Sequence, residues 1–166
     1  MMVFEMVKTK DTGVDRISDC LDGKRIALVI SGGIAATESI KICREIRRYG
    51  GSVYPILTKS AEKIITPLAV SWGAGGVSVI DEWNYKMAQL ESFDGVLLAP
   101  ATRNTIAKFV HGIIDSPALM SLSAASGNQT PMLFVPSMHN DLFDDPVTDE
   151  LLKSVTERGV EILLSD

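Results

Sequence analysis

The chain has 166 residues, of which 46% are hydrophobic and 22% charged, and its formal net charge is −5. This length suits one domain with one sizeable core, and the negative charge disfavours a nucleic-acid partner, which usually requires a basic face. The sequence contains neither a run of the ~20 apolar residues that a membrane span needs nor an N-terminal signal peptide. Two cysteines, Cys20 and Cys43, are too few for a disulfide framework. We therefore expect a cytoplasmic protein with two free thiols and no membrane partner.

Residues 1–23 are polar without a strong period, and they are predicted to form an N-terminal extension with a short helix over Asp15–Leu21. The main domain is predicted to span residues 24–166. Short apolar runs without alternation are typical of strands that are buried on both faces. Such runs occur at Arg25–Ser31, Ser52–Leu57, Asp94–Ala99, Met132–Val135 and Val160–Leu164, and Val77–Ile80 is predicted to be a short edge strand.

Helical patterns separate these runs. They cover Ile34–Tyr49, Ala61–Ile65, a segment that starts at Pro67, Thr102–Gly112, Ser116–Ala125 and Val147–Glu157. This alternation predicts an α/β, Rossmann-like (flavodoxin-like) three-layer fold with a parallel sheet. Ligands of such sheets bind at the carboxyl ends of the strands, so we expect the site there.

The first strand ends in Ser31-Gly32-Gly33, and a predicted helix follows. Glycine lets the backbone come close to a ligand, and a helix N-terminus offers free N–H groups to a phosphate. Such a glycine turn also connects strands to helices without any ligand. The full GxGxxG pattern is absent, which favours a mononucleotide over NAD. The second strand ends in Thr58-Lys59-Ser60, where the hydroxyls predict either ligand contacts or a helix cap with Ser60 as N-cap.

The segment Ala99–Thr105, which reads APATRNT, is harder to explain by packing. Small residues allow a planar ring to lie close to the backbone, and Asn104 can both donate and accept hydrogen bonds. The edge of an isoalloxazine ring requires such alternating partners. This segment therefore predicts a flavin site and makes Asn104 a candidate ring contact.

The order of motifs resembles that of the homo-oligomeric flavin-containing cysteine decarboxylase superfamily, which includes phosphopantothenoylcysteine decarboxylases. The segments that carry the resemblance are Ser31–Ala36, Thr58–Ala61, Ala99–Thr105, Gly112–Asp115 and Pro136–His139. The resemblance spans roughly residues 24 to 164. The extension that ends near Ser18–Leu21 resembles that of archaeal bifunctional coenzyme A biosynthesis proteins.

The resemblance implies that the chain binds FMN near the subunit interface of a homo-oligomer, either a trimer or a dodecamer. It implies phosphate contacts from Gly32, Gly33 and Ile34, phosphate or ribityl contacts from Thr58 and Ser60, and ring contacts from Ala101, Thr102, Arg103, Asn104, Thr105 and Ser137. It also implies that substrate meets Met138, His139 and Asn140, with His139 and Asn104 as catalytic candidates. It implies no metal.

The chain departs from the family pattern at several positions. Met87 stands where the decarboxylases have a histidine, and methionine cannot transfer a proton. The region Ser121–Gln129, where the flap cysteine is expected, contains no cysteine. Gly33 replaces a frequent serine, and Arg103 replaces a small residue and is predicted to compensate or to reach a substrate anion. His111 is predicted to be a surface or packing residue.

These departures leave several functions open. The first is FMN-dependent decarboxylation in coenzyme A biosynthesis. The second is a flavin oxidoreductase or electron-transfer protein, similar to dihydromethanopterin reductases or archaeoflavoproteins, because hydride transfer depends on positioning more than on a protein base. The third is a non-catalytic FMN-binding subunit. A flavin prenyltransferase is disfavoured because the basic prenyl-phosphate signature is not evident.

Overall fold

A computed structural model describes residues 12–83 and 93–164. Its centre is a five-stranded sheet in which every pair of neighbouring strands is parallel. The strands are β1 Arg25–Ile30, β2 Ser52–Leu57, β3 Gly95–Ala101, β4 Met132–Pro136 and β5 Glu161–Ile162. Their order in the sheet is β2-β1-β3-β4-β5. This order is that of flavodoxin-like folds and has its topological switch point between β1 and β3.

Helices cover both faces of the sheet. They are α1 Ser39–Arg48, α2 Pro67–Gly73, α3 Arg103–Val110, α4 Pro117–Gly127, α5 Asn140–Phe143 and α6 Pro146–Glu157, with 3-10 turns at Ile34–Glu38 and Ala61–Lys63. One core cluster joins α1 and α2 to the sheet through residues such as Cys43 and Val70. The other joins α3, α4 and α6 to the opposite face through residues such as Phe109, Leu122 and Val155. The predicted α/β three-layer fold is therefore confirmed.

Two predicted elements form differently. The helix predicted over Ile34–Tyr49 begins as a 3-10 turn over Ile34–Glu38, and only then continues as α1. The predicted edge strand Val77–Ile80 is reduced to one parallel bridge between Ile80 and Ile56. Two glycines with positive φ, Gly75 and Gly76, precede this segment and turn the chain sharply.

The prediction of a short helix over Asp15–Leu21 is wrong, because most of this segment has no regular secondary structure and it ends in a turn. The N–H group of Ile17 donates to the carbonyl of Arg48, and that of Leu21 donates to the carbonyl of Tyr49, both at 2.9 Å. These carbonyls are the free acceptors at the end of α1, so tertiary bonds replace the local bonds of a helix. The division between an extension and a main domain at residue 23 stays a prediction.

Both cysteines are free, as predicted from the sequence. Cys20 is exposed, whereas Cys43 is fully buried in α1, and this burial raises the pKa of its thiol to about 12. Cys43 is therefore a packing residue. Across residues 12–83 and 93–164, no helix has the length and apolar character needed to cross a membrane. Met87 lies outside the described residues.

Candidate functional site

A cavity of about 360 Å³ opens at the carboxyl edge of the sheet, where the turns that follow β1, β2 and β3 meet. It is lined by Gly32, Thr58, Lys59, Ser60, Thr102, Asn104, Thr105, Lys108, Asp115, Ser116 and Leu119. The turns after β1 and β3 flank the switch point of the sheet, which is the usual ligand position in this fold. Three of the predicted motifs thus contribute to one cavity.

Gly32 and Ser60 form the closest approach between two of these turns. A Cβ atom added to Gly32 would lie 2.3 Å from the Cβ of Ser60 and 2.9 Å from its backbone carbonyl carbon. Any side chain at position 32 would therefore force the two turns apart. Glycine is required here for close approach, as the sequence predicts.

The turn after β2 uses its hydroxyls differently from the prediction. Thr58 Oγ1 accepts the N–H of Ala61 at 3.1 Å, and so it caps the 3-10 turn that follows. The predicted N-cap Ser60 makes no capping hydrogen bond, because its backbone is in the helical rather than the extended conformation. The Ser60 hydroxyl therefore remains available to a ligand in the cavity.

The cavity wall formed by α3 is a single helical face. Thr102 is the N-cap of α3, and its hydroxyl accepts the N–H of Thr105 at 3.4 Å. Lys108 lies four residues after Asn104 and three after Thr105, so its side chain lies on the same side of the helix as those two. Lys108 Nζ lies 2.6 Å from Asp115 Oδ2 in the loop before α4. The cap leaves the N–H groups of Arg103 and Asn104 without intrahelical acceptors.

Charged groups gather at the outer rim around Lys59. Its Nζ lies 3.0 Å from Glu82 Oε1 and 3.5 Å from Glu62 Oε2, with Asp81 at 4.0 Å. The hydrogen bond to Glu82 raises the pKa of Lys59, which stays charged. A hydrogen bond to Asp81, followed by burial, raises the pKa of the Glu62 carboxyl. With Lys108 and Asp115, the cavity carries two cations and one anion on its lining.

Arg103 points away from the cavity. Its NH1 lies 2.5 Å from Asp145 Oδ2, and the same carboxylate group accepts the N–H of Val147 at 3.1 Å as N-cap of α6. Arg103 thus ties the start of α3 to the start of α6. The ligand contact that the sequence predicts for Arg103 stays a prediction beside this ion pair.

The remaining predicted residues are not among those that line the cavity, and their ligand contacts stay predictions. Ala101 is buried in the core, Ile34 is 78% exposed, and Gly33 packs beside the Thr102 methyl group, where an added Cβ would lie 3.4 Å away. Ser137 donates its N–H to the Ala101 carbonyl at 3.1 Å, which places the segment after β4 beside the turn after β3. Met138 packs partly buried against the core, whereas His139 and Asn140 are exposed at the start of α5. The His139 Nδ1 atom lies 3.6 Å from Asp141 Oδ2.

The sequence analysis did not select Lys59, Lys108, Asp115, Ser116 or Leu119 as site residues. Lys108 carries a usable signal, because it lies four residues after Asn104 and therefore on the same helical face. Asp115 belongs to the Gly112–Asp115 segment that resembles a family motif. Lys59 lies within the Thr58-Lys59-Ser60 turn, between the two hydroxyl residues that the sequence singles out. For Ser116 and Leu119, the contribution depends on how the loop between α3 and α4 folds back, which no local pattern reveals.

The carboxylate of Asp145 makes stability depend on pH. The hydrogen bond from Val147 and then that from Arg103 lower the pKa of Asp145 below its ordinary value of 3.8. A lowered pKa in the folded state means that this carboxylate stabilises the fold at neutral pH, and that the contribution is lost as pH falls below about 4. Asparagine still caps helices, so Asp145→Asn should remove only the ion pair.

Urea unfolding at pH 7 and pH 3 measures this effect. We expect the Asp145→Asn variant to be less stable than the wild type at pH 7 and to differ less from it at pH 3. The control is Asp149→Asn, which removes an exposed pair with Lys153 and should change stability little at either pH. Equal stability of wild type and Asp145→Asn at pH 7 would show that the Arg103 pair contributes nothing.

This fold and site define an α/β domain with a ligand cavity at the switch point of a flavodoxin-like sheet. The chain belongs to the Flavoprotein family, whose model matches residues 15–165. It is 35% identical over 150 residues to the coenzyme A biosynthesis bifunctional protein CoaBC of Thermococcus kodakarensis. That match covers 86% of this chain and 37% of the relative, so the chain spans little more than a third of that protein's length.

Solved structures share the fold. The FMN-dependent cysteine decarboxylase TvaF from thioviridamide biosynthesis matches with a TM-score of 0.78 at 20% identity, over 85% of this chain and 90% of that one. A PPC decarboxylase mutant complexed with pantothenoylaminoethenethiol matches with a TM-score of 0.74 at 22% identity, over 84% of this chain and 81% of that one. These matches show that the chain shares the fold of these structures.

Proposed function

We propose that this chain binds FMN in the switch-point cavity and acts as a decarboxylase of the phosphopantothenoylcysteine type. The observation that carries the proposal is the convergence of the turns after β1, β2 and β3 on one cavity in a chain of the Flavoprotein family. The name of the TvaF neighbour specifies FMN, and that of the bifunctional relative specifies coenzyme A biosynthesis.

The residues of the cavity fit FMN by shape and by chemistry. The turn at Gly32 has no side chain and lies against Ser60, which leaves backbone rather than side chains facing the cavity at that point. The Ser60 hydroxyl and the cations Lys59 and Lys108 suit an anionic phosphate end. Asn104 supplies both a donor and an acceptor for the polar edge of a ring.

When bound, the flavin supplies reversible acceptance of a hydride from the cysteinyl substrate. The chain's own residues would then bind the substrate and orient it. Asn104 lines the cavity and would hydrogen-bond the ring, while the segment from Met138 to Asn140 follows Ser137, whose N–H donates to Ala101 at the end of β3. His139 is exposed at the start of α5, with its Nδ1 atom 3.6 Å from Asp141 Oδ2.

We also propose that the chain forms a homo-oligomer that covers its exposed apolar side chains near the cavity. Ile34, in the first turn after Gly33, is 78% exposed, and Leu68 in α2 is 82% exposed. An exposed apolar surface of this kind is typical of protein contacts. The size of the oligomer and the cytoplasmic location stay predictions.

The proposed reaction is tested by incubating the FMN-loaded protein with 4′-phosphopantothenoylcysteine and measuring carbon dioxide release. We expect release with the wild type, and at least tenfold less with Asn104→Ala, because a lost hydrogen bond of about 1.4 kcal/mol changes a rate or an affinity by that factor. Asp149→Asn, in α6 and outside the cavity lining, is the control and should match the wild type.

Two outcomes would contradict this reaction. The first is FMN-loaded protein that releases no carbon dioxide while its reduced flavin is quickly reoxidised by an added acceptor, which would favour the flavin oxidoreductase. The second is FMN-loaded protein that does neither, which would favour a non-catalytic FMN-binding subunit. The flavin content of each preparation is measured first, so that loss of cofactor is distinguished from loss of chemistry.

A further inference from the structure

The Ser31 hydroxyl links the residue that follows β1 to the segment Pro100–Thr102, where β3 ends and the turn to α3 begins. Ser31 is fully buried, and its Oγ donates to the Pro100 carbonyl at 2.5 Å while it accepts the Thr102 N–H at 2.9 Å. The Ser31 N–H also donates to the Pro100 carbonyl, at 3.3 Å. The hydroxyl therefore donates one hydrogen bond to this segment and accepts another from it, which fixes the orientation of the Ser31 side chain.

This link lies beyond the end of the strand ladder. The register of β1 with β3 runs from Ile26 paired with Gly95 to Val29 paired with Leu98. Closer to the cavity, where β3 ends, the hydrogen bonds of Ser31 to Pro100 and Thr102 take the place of strand pairing between β1 and β3. Without that hydroxyl, the partly buried Thr102 N–H would lose its partner, and an unpaired donor that is shielded from water costs free energy.

We propose that Ser31 is a positioning residue, which fixes the Pro100–Thr102 turn and through it the α3 wall of the flavin cavity. Thr102 transmits the effect, because its hydroxyl caps α3 at Thr105 and its methyl group packs against Gly33. Asn104 follows directly on this cap. The effect on the cofactor rests on the proposed FMN binding, whereas the contacts of Ser31 belong to the chain itself.

The test compares Ser31→Ala with Ser31→Thr, which keeps the hydroxyl. The control is Ser121→Ala, because Ser121 is also buried but its Oγ donates to Ala118 within α4. Two readouts are taken at a temperature where all variants are folded: the dissociation constant for FMN, and hydrogen exchange of the Thr102 amide measured by NMR. Neither readout depends on turnover.

We expect Ser31→Ala to raise the FMN dissociation constant at least about tenfold, from the lost hydrogen bonds, and to speed exchange of the Thr102 amide. Ser31→Thr should restore both readouts, and Ser121→Ala should leave both near the wild-type values. If Ser31→Ala does not fold, Ser31→Cys takes its place, because a thiol of similar size is a weak donor and acceptor. The FMN dissociation constant and the Thr102 exchange rate of Ser31→Cys should then also be higher than those of the wild type.

An unchanged FMN dissociation constant together with unchanged Thr102 exchange would overturn the proposal. So would equal losses of affinity in Ser31→Ala and Ser121→Ala, since a general loss of packing would then explain both. A wild-type protein that binds no FMN would overturn the proposed function alone, because Thr102 exchange would still show whether Ser31 holds the turn.

Discussion

Replacing Gly32 by alanine should weaken FMN binding at least tenfold and lower the free energy of unfolding by about 1–3 kcal/mol, the usual cost of overpacking. The added Cβ would lie 2.3 Å from the Cβ of Ser60, and contacts under 3.0 Å are essentially absent between real Cβ atoms. Because backbone atoms of Ser60 also lie within reach, a change of rotamer cannot relieve the clash. The turns after β1 and β2 must separate, and the cavity between them must change shape.

The neighbouring glycine provides a matched control. An alanine Cβ at Gly33 would meet only the Thr102 methyl group and the Pro100 ring, at 3.4 Å or more. Its φ of −98° is open to any residue. Gly33→Ala should therefore bind FMN within about threefold of the wild type, which is below 1 kcal/mol. Titration of each variant with FMN measures the difference, and similar affinities for the two variants would refute the close-approach argument.

The largest loss of stability is expected for Phe134→Ala, at about 3–5 kcal/mol. Phe134 lies in β4 with no exposed surface, and its ring meets Phe109 of α3 edge to face, with centroids 5.3 Å apart. The cavity that remains would adjoin the helix that carries Asn104 and Thr105. We therefore expect the variant to lose FMN affinity as well as stability.

Urea unfolding of the apo-protein measures the loss. The control is Phe143→Ala in α5, where the ring is 36% exposed, and it should cost less than about 1 kcal/mol. A Phe134→Ala variant as stable as this control would mean that the sheet and α3 are not joined through this aromatic pair.

Buried strands were the most predictable part of the fold. The apolar runs at Arg25–Ser31 and Asp94–Ala99 are too short for helices and too uniform for exposed strands, so they can only lie inside a covered sheet. The helix after Gly33 was less predictable, because its first five residues form a 3-10 turn that the helical spacing does not reveal. The helix predicted in the extension does not form, because N–H groups of this segment donate to carbonyls at the end of α1. Such tertiary hydrogen bonds produce no local sequence pattern.

The candidate site also contains some residues that the sequence predicts and others that it does not. Gly32, Thr58 and Asn104 follow strand ends, and the sheet brings all such ends to one edge, so they were predictable as a group. The ligand contact predicted for Arg103 comes from the family resemblance, whereas its ion pair with Asp145, 42 residues later in the chain, has no local sequence signal. The role of Ser31 depends on a hydroxyl that is buried between two turns, and its sequence position alone does not distinguish it from a ligand contact.

The central claim is tested most directly by titrating the purified wild-type chain with FMN and, in parallel, with riboflavin. The phosphate end of FMN should interact with Ser60 and the lysines of the rim, whereas riboflavin offers no charge there. We therefore predict one FMN per chain and an affinity for riboflavin that is lower by at least about tenfold. No uptake of FMN, or equal affinity for the two flavins, would contradict the account of this cavity.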